Sequence, residues 1–477
     1  IEKIHHVTMR GTTLRYYGKT KFSFLRLLPV VFIASFTFIV QNYLSLRVFF
    51  PPSSNDNDDD RITFLINTHN RISNYNINPT NLRPSTTNKK IAFVITITGC
   101  DDKNNIELVL DAPAILAESI RKTSLSSLYY HDNYDLLAVV HPNHTRCTRY
   151  LPEFGYRVLE RELGFDPAAL KYPLNVEIER KQCCGSIEYL KLEALTMVQY
   201  DVVIQLDTDM MILSPFDRLI DALLTGNTKG LPLVEYPNTG SHTAKSKELQ
   251  PTTKNSNTIT NSNTNHTTTR NYDFIFTRDY VQMRTYLEAH QMPIQGGFLV
   301  FRPSLEMYRH LVDVVLPRSN YVVNPKKRGT GGWQGLGYGP YYSGAQIQGF
   351  LSYIVGEMIF TQRALELDMC HYNHVSVSPT QKQNDTEICL FRHPQTGICR
   401  DCRQTSLSEI QSYHFVGNAK PWLCGKGMGP VYRQWFALRR ELEEARGWPL
   451  PPPETEFFPN ITLGYCNRSR HRGYKNM

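Results

Sequence analysis

From residue 91 onward the chain alternates between short unbroken apolar runs and segments with apolar residues at helical spacing. IAFVITITGC (91–100) is the first such run, and a run of this kind bounded by turn signals is what a strand covered on both faces looks like. DAPAILAESIRKTSL (111–125) then places Ile115, Leu116, Ile120 and Leu125 at helical spacing. YDLLAVVHP (134–142) and YRVLER (156–161) read as further strands with helical patterns between them. Val202, Val203, Ile204 and Leu206 form another strand that runs straight into Asp207-Thr208-Asp209. GGFLVFRPS (296–304) is strand-like with glycines at its start, where a ligand could approach the backbone closely. A Gly/Tyr-rich loop in 329–355 leads into a helix, and its aromatics at 333–342 either stack on sugar rings or pack the loop. Val431, Trp435, Leu438 and Leu442 make a last helical stripe before the prolines of 449–453. The β-α-β-α order predicts an α/β fold with a single, mostly parallel, doubly wound sheet.

Two segments cannot bury a core. Residues 47–90 and 238–270 are rich in Asn, Asp, Ser and Thr and poor in apolar periodicity, so they are expected to be a disordered stem and a disordered insertion. Ahead of them, residues 27–46 (LLPVVFIASFTFIVQNYLSL) form a twenty-residue apolar stretch long enough to cross a bilayer. Lys3, Arg10, Arg15, Lys19, Lys21 and Arg26 against Glu2 give residues 1–26 a charge of +5. By the positive-inside rule this is a cytosolic tail and a type II signal anchor, with everything past residue 46 lumenal; a cleaved signal peptide is the alternative. Either way the body, a folded domain at 91–446 with a tail at 447–477, enters the secretory pathway.

Charge and cysteines sharpen that picture. The chain carries +8 in all, so only +3 is left outside the tail and no nucleic-acid partner is indicated. Ten cysteines and five glycosylation sequons, at Asn143, Asn265, Asn384, Asn460 and Asn467, suit an oxidising lumen. Cys399 and Cys402 have the spacing of a zinc or redox site, but with no second such pair they are expected in disulfides tying the 370–424 region.

The chemistry gathers at the Asp pair. Ligands of open α/β sheets bind at the strands' carboxyl ends, and side chains two apart on extended chain point the same way. Asp207 and Asp209 are therefore expected to reach one divalent cation, of the kind that carries a diphosphate. The competing reading is an Asp pair capping a loop through backbone N–H groups, and Asp56-Asn57-Asp58 has the same spacing in the stem. SYHFVGNAKPW (412–422) supplies His414, which completes a set suited to Mn²⁺, and Lys420, which can neutralise a phosphate oxygen.

In their order along 90–445, LKLEALTMVQYDVVIQLDTDMMIL, QGGFLVFRPS, IQGFLSY and HFVGNAKPW resemble glycosyltransferase family 8, the glycogenin-like retaining enzymes. CCGSIEYLKLEAL and CRDCRQTSL look most like a membrane-anchored eukaryotic and algal branch of it. The resemblance implies a GT-A fold that transfers a hexose-type sugar from a UDP-sugar, with retention, to a glycan, protein or lipid acceptor at a Golgi or ER membrane. It implies that Asp207, Asp209 and His414 ligate Mn²⁺ (or Mg²⁺), that Lys420 contacts the diphosphate, that Gly417 lets the backbone approach it, and that Lys191 contacts the nucleotide sugar. Thr98 to Asp101 would hold base and ribose, and Gln348, with Asp209, would act near the reacting carbon. The sequence departs from the family at two places. Ile347-Gln348-Gly349 stands where Asp-Gln-Gly is common, and Gln295 where Asn is common. The missing Asp is the best support for a rival reading, a catalytically inactive paralogue that binds glycan or scaffolds other transferases. A sugar-nucleotide pyrophosphorylase is disfavoured, because IAFVITITGCDD contains no Gly-rich phosphate loop and the anchor does not suit a cytosolic enzyme.

Overall fold

A computed structural model of the protein describes residues 89–99, 106–131, 133–180, 184–234, 271–280, 289–323, 325, 330–358, 363–375, 402, 405–417, 419–425, 429–451, 459–467 and 474. The expected cytosolic tail, anchor, stem (but for residues 89 and 90) and 238–270 insertion lie outside these residues, as does Asp101. Among the described residues no helix is long and apolar enough to cross a membrane.

The strands, in chain order, are β1 (Ile91–Ile97), β2 (Tyr134–Val140), β3 (Tyr156–Glu160), β4 (Val202–Leu206), β5 (Met210–Ile212), β6 (Phe274–Arg278), β7 (Ile294–Phe301), β8 (Tyr321–Val322), β9 (Gly332–Trp333), β10 (Ala364–Glu366), β11 (His374–Val375) and β12 (Ser412–His414). Seven form one sheet in the order β10-β6-β7-β4-β1-β2-β3. The sheet is mixed: β7 runs antiparallel to both β4 and β6, and every other pairing is parallel. β5 leaves it and joins β12 and β11 in a second, three-stranded sheet; β8 and β9 form a separate pair.

The unbroken apolar runs arise because the sheet is covered on both faces. Every residue of β1, β4 and β7 is buried. Ala92, Val94, Val203 and Phe301 face Leu190 and Leu192 of a 3-10 helix (Gly185–Thr196) together with Ile347 and Phe350. Ile91, Phe93, Ile95, Val202 and Ile204 face helix α1 (Ile106–Ser124) through Leu116 and Ile120, and helix α2 (Asp217–Thr225) through Leu219, Ile220 and Leu223. Helix α3 (Ile347–Tyr353) continues into a π-turn, and helix α4 (Pro430–Ala445) buries the expected stripe of Val431, Trp435, Leu438 and Leu442.

Several expectations are refined. α1 stops one residue short of Leu125, which is 57% exposed. The stop has a local cause, since the Ser124 hydroxyl and the Ser126 N–H take the carbonyls of Arg121 and Thr123 that a further turn would use. The helical patterns between β2 and β3 form short 3-10 helices opening at Pro142 and Leu151 rather than α-helices. Trp333, Tyr338 and Tyr341 are buried and pack the loop, with the Trp333 indole N–H donating to the Gly344 carbonyl; Tyr342, in contrast, is half exposed. Cys402 pairs with Cys370 and Cys424 with Cys466, so the zinc or redox reading of the 399–402 spacing fails at Cys402.

Candidate functional site

Asp207 and Asp209 sit in the turn that carries the chain from β4 to β5, out of the large sheet and into the small one. They are not on extended chain, as the alternation argument supposed. The Met210 N–H closes the turn on the Asp207 carbonyl, and the turn brings both carboxylates to one side. β12 then delivers the third group. Its antiparallel register sets His414 opposite Met210, and the Phe415 N–H donates to the Asp209 carbonyl.

A carboxylate oxygen from each Asp and a ring nitrogen of His414 lie within 4.8 Å of one another. His414 Nε2 is 3.1 Å from Asp209 Oδ1 and 3.8 Å from Asp207 Oδ2. Its other nitrogen, Nδ1, is 2.9 Å from Asn373 Oδ1, and the Asn373 amide nitrogen in turn donates to Thr277 Oγ1 at 2.8 Å. A carbonyl oxygen only accepts, so Nδ1 carries the proton in the neutral ring and Nε2 turns its lone pair to the aspartates. Among the described residues, the partners of the two carboxylates are side chains. Lys191 Nζ stands 2.8 Å from Asp207 Oδ1, and Lys420 forms an ion pair with Asp209. Burial alone would raise the Asp209 pKa, but His414 and Lys420 outweigh it and hold the carboxyl well below its ordinary range.

The two glycines at the start of β7 make this packing possible. A Cβ on Gly297 would overlap His414 Cε1 and stand 2.7 Å from Asp207 Oδ2. A Cβ on Gly296 would lie 3.3 Å from Lys191 Nζ and 3.4 Å from Gln348 Cγ. The close approach these glycines permit is thus by the protein's own side chains. Gln295 Oε1 accepts the Gly297 N–H at 2.8 Å and so holds that strand from within.

Of the residues expected at the site, the structure brings Asp207, Asp209, His414, Lys191 and Lys420 into contact and sets Gln348 beside Lys191 across Gly296. Thr98 follows β1, the neighbour of β4, and lies on the same edge of the sheet. Gly417 has a left-handed backbone (φ 56°), and among the described residues nothing lies within 4 Å of where its Cβ would be. Two residues were missed. Asn373 had no sequence signal. Glu188 had one: it is a carboxylate three residues before Lys191, in a twelve-residue stretch that is almost wholly buried. A cavity of about 550 Å³ lies at the opposite end of the strands, lined by Asp273, Arg302, His310 and Arg363 among others, and none of the candidate residues borders it.

No protein-family model matches the chain, and neither does any curated protein sequence. Solved structures give distant likenesses. Apo mouse xyloside xylosyltransferase 1 is 12% identical over 70% of this chain and 99% of its own, with a TM-score of 0.38. The glycosyltransferase GlyE of Streptococcus pneumoniae TIGR4 is 12% identical over 76% of this chain and 64% of its own, at 0.35. The galactosyltransferase LgtC, in complex with donor and acceptor sugar analogues, is 11% identical over 76% and 97%, at 0.34. Likenesses of this size assign neither family nor activity.

Proposed function

We propose that the protein is a retaining glycosyltransferase of the family 8 type, which moves a hexose-type sugar from a UDP-sugar to a glycan, protein or lipid acceptor. The observation that carries this reading is the convergence of Asp207, Asp209 and His414 at the carboxyl end of β4, flanked by two lysines. Two carboxylates and an imidazole with its lone pair turned inward fit a divalent cation such as Mn²⁺ or Mg²⁺. Asp207, Asp209 and His414 would hold it, and when bound it supplies Lewis-acid stabilisation of the charge that builds on the departing diphosphate.

The chain's own residues do the rest. Lys191 and Lys420, which neutralise the aspartates, stand within reach of the diphosphate oxygens and share the stabilisation of that charge. Gly417 offers open backbone beside them. Gln348 lies across Gly296 from Lys191, where the sugar would follow the diphosphate. In a same-face displacement the bond from C1 to the diphosphate oxygen breaks, the acceptor oxygen bonds to C1 on the same face, and the acceptor's proton passes to the diphosphate. This route needs no protein nucleophile.

The lumenal, type II placement in Golgi or ER is part of the same proposal. It is supported by the apolar segment 27–46, by the disulfides, and by sequon asparagines 143, 460 and 467, all of which are exposed. The test is UDP release by the purified protein across a panel of UDP-sugars, with and without Mn²⁺, beside Asp209→Asn. We expect Mn²⁺-dependent release from one donor and its loss in the variant. Mn²⁺-dependent UDP binding with no turnover on any donor and acceptor would instead favour the inactive paralogue.

A further inference from the structure

One charged group beside the site is unused by the proposed reaction. Glu188, on the 3-10 helix Gly185–Thr196, is only 3% exposed, and its Oε2 has no hydrogen-bond partner among the described residues. A buried carboxylate oxygen left unmatched costs free energy, so it calls for a partner from outside the chain: a water, an ion or a ligand group. The other oxygen, Oε1, is 3.5 Å from Lys191 Nζ, the same ammonium that lies 2.8 Å from Asp207. Glu188 is therefore one side chain removed from the aspartate pair, on the side where Ile347, Lys191 and Gln348 close around Gly296. Burial pushes its carboxyl above the ordinary range, and the Asp207 charge adds to that, while Lys191 and the Ile347 backbone N–H oppose it. The N–H belongs to the first residue of α3, so Glu188 brings a carboxylate to the start of the helix that carries Gln348.

We infer that Glu188 selects the donor's sugar, its open carboxylate oxygen accepting a hydrogen bond from a ring hydroxyl while Lys191 and Gln348 border the same ring. This rests on the nucleotide-sugar reading above. A carboxylate accepts but does not donate, and its position is fixed by burial, so it discriminates by the direction of one hydroxyl. Sugars that differ only at that carbon are told apart, because the wrong epimer leaves the oxygen unpaired.

The experiment is calorimetric titration of the purified protein with UDP alone and with a panel of UDP-hexoses and UDP-pentoses, all in Mn²⁺, for wild type, Glu188→Gln and Glu188→Ala. For the Ala variant, affinity for the preferred UDP-sugar is expected to fall roughly 10–100-fold, the size of a lost hydrogen bond to a charged group. UDP affinity should stay within about twofold, since UDP lacks the sugar ring whose hydroxyl Glu188 would accept. The preference of the best over the second-best sugar should collapse toward unity in both variants. Glu188→Gln, which keeps shape and removes a buried charge, should melt no earlier than wild type at neutral pH, so a lost preference cannot be ascribed to misfolding. Equal weakening of UDP and UDP-sugar would make Glu188 a prop for Lys191 and overturn the inference, as would unchanged preference. A wild-type protein that binds UDP but does not discriminate among sugars sinks this inference alone. One that binds no UDP in Mn²⁺ sinks the nucleotide-sugar reading and this inference with it.

Discussion

Around Arg439, on α4, each charge is met inside the protein. The guanidinium is 2.8 Å from Asp111 Oδ2 and 2.9 Å from Glu443 Oε1. Tyr474 hydrogen-bonds Asp111, Tyr465 hydrogen-bonds Glu443, and the guanidinium lies over both rings. The Asp207–Asp209 turn is built from the same kinds of group, but three carboxylates, counting Glu188, crowd around two lysines and an imidazole, and one oxygen stays unmatched. Buried charge by itself is therefore no mark of function in this molecule. What separates the two clusters is completeness: the first is closed by its own side chains, and the second has two carboxylates and an imidazole converging with one neighbouring carboxylate oxygen left unmatched.

That contrast can be pressed by substitution. Arg439→Ala strands Asp111 and Glu443 in the core and should cost about 3–5 kcal/mol of stability, read as a large fall in melting temperature. It should leave Mn²⁺ affinity at the remote turn unchanged in whatever fraction stays folded. Gly297→Ala drives a methyl against His414 and Asp207, and should cost about 1–3 kcal/mol by overpacking while Mn²⁺ affinity falls further than that strain explains. If metal affinity survives, the glycine serves the strand and not the site. Asn373→Ala frees the His414 ring to turn and should weaken Mn²⁺ binding roughly tenfold or more with a small stability loss, measurable by titration with the metal alone. An unchanged titration would mean that β12 alone fixes the imidazole.

Much of the frame was legible beforehand because burial on two faces writes itself as unbroken apolar runs, and β1, β4 and β7 are such runs. The reversal of β7 was not, since direction leaves no trace in composition. The Asp pair was found by its place after a strand, but the reason its carboxylates converge is a turn between two sheets, which the two-residue spacing does not reveal. His414 and Lys420 were visible through the order of motifs. Asn373 was invisible, because it acts only through a neighbour distant in sequence, with its own backbone left-handed at φ 63°. Glu188 was overlooked because its segment drew notice only for Lys191 and its resemblance; the structure buries ten of its twelve residues, Glu188 among them.

The groups at the turn come from far apart along the chain: the 3-10 helix and the end of β4, then the start of β7, then α3, and last the residues around β12. Synthesis proceeds from the amino end, so a ribosome must have released residues up to Lys420 before the metal ligands and both lysines can meet. A nascent or truncated chain can form β1, β2 and β4 and still offer no complete cage to a cation or a nucleotide. Competence at this site is thus conferred at once, when the last of these segments emerges, and its presence certifies that the chain from the 3-10 helix to Lys420 has been made and folded.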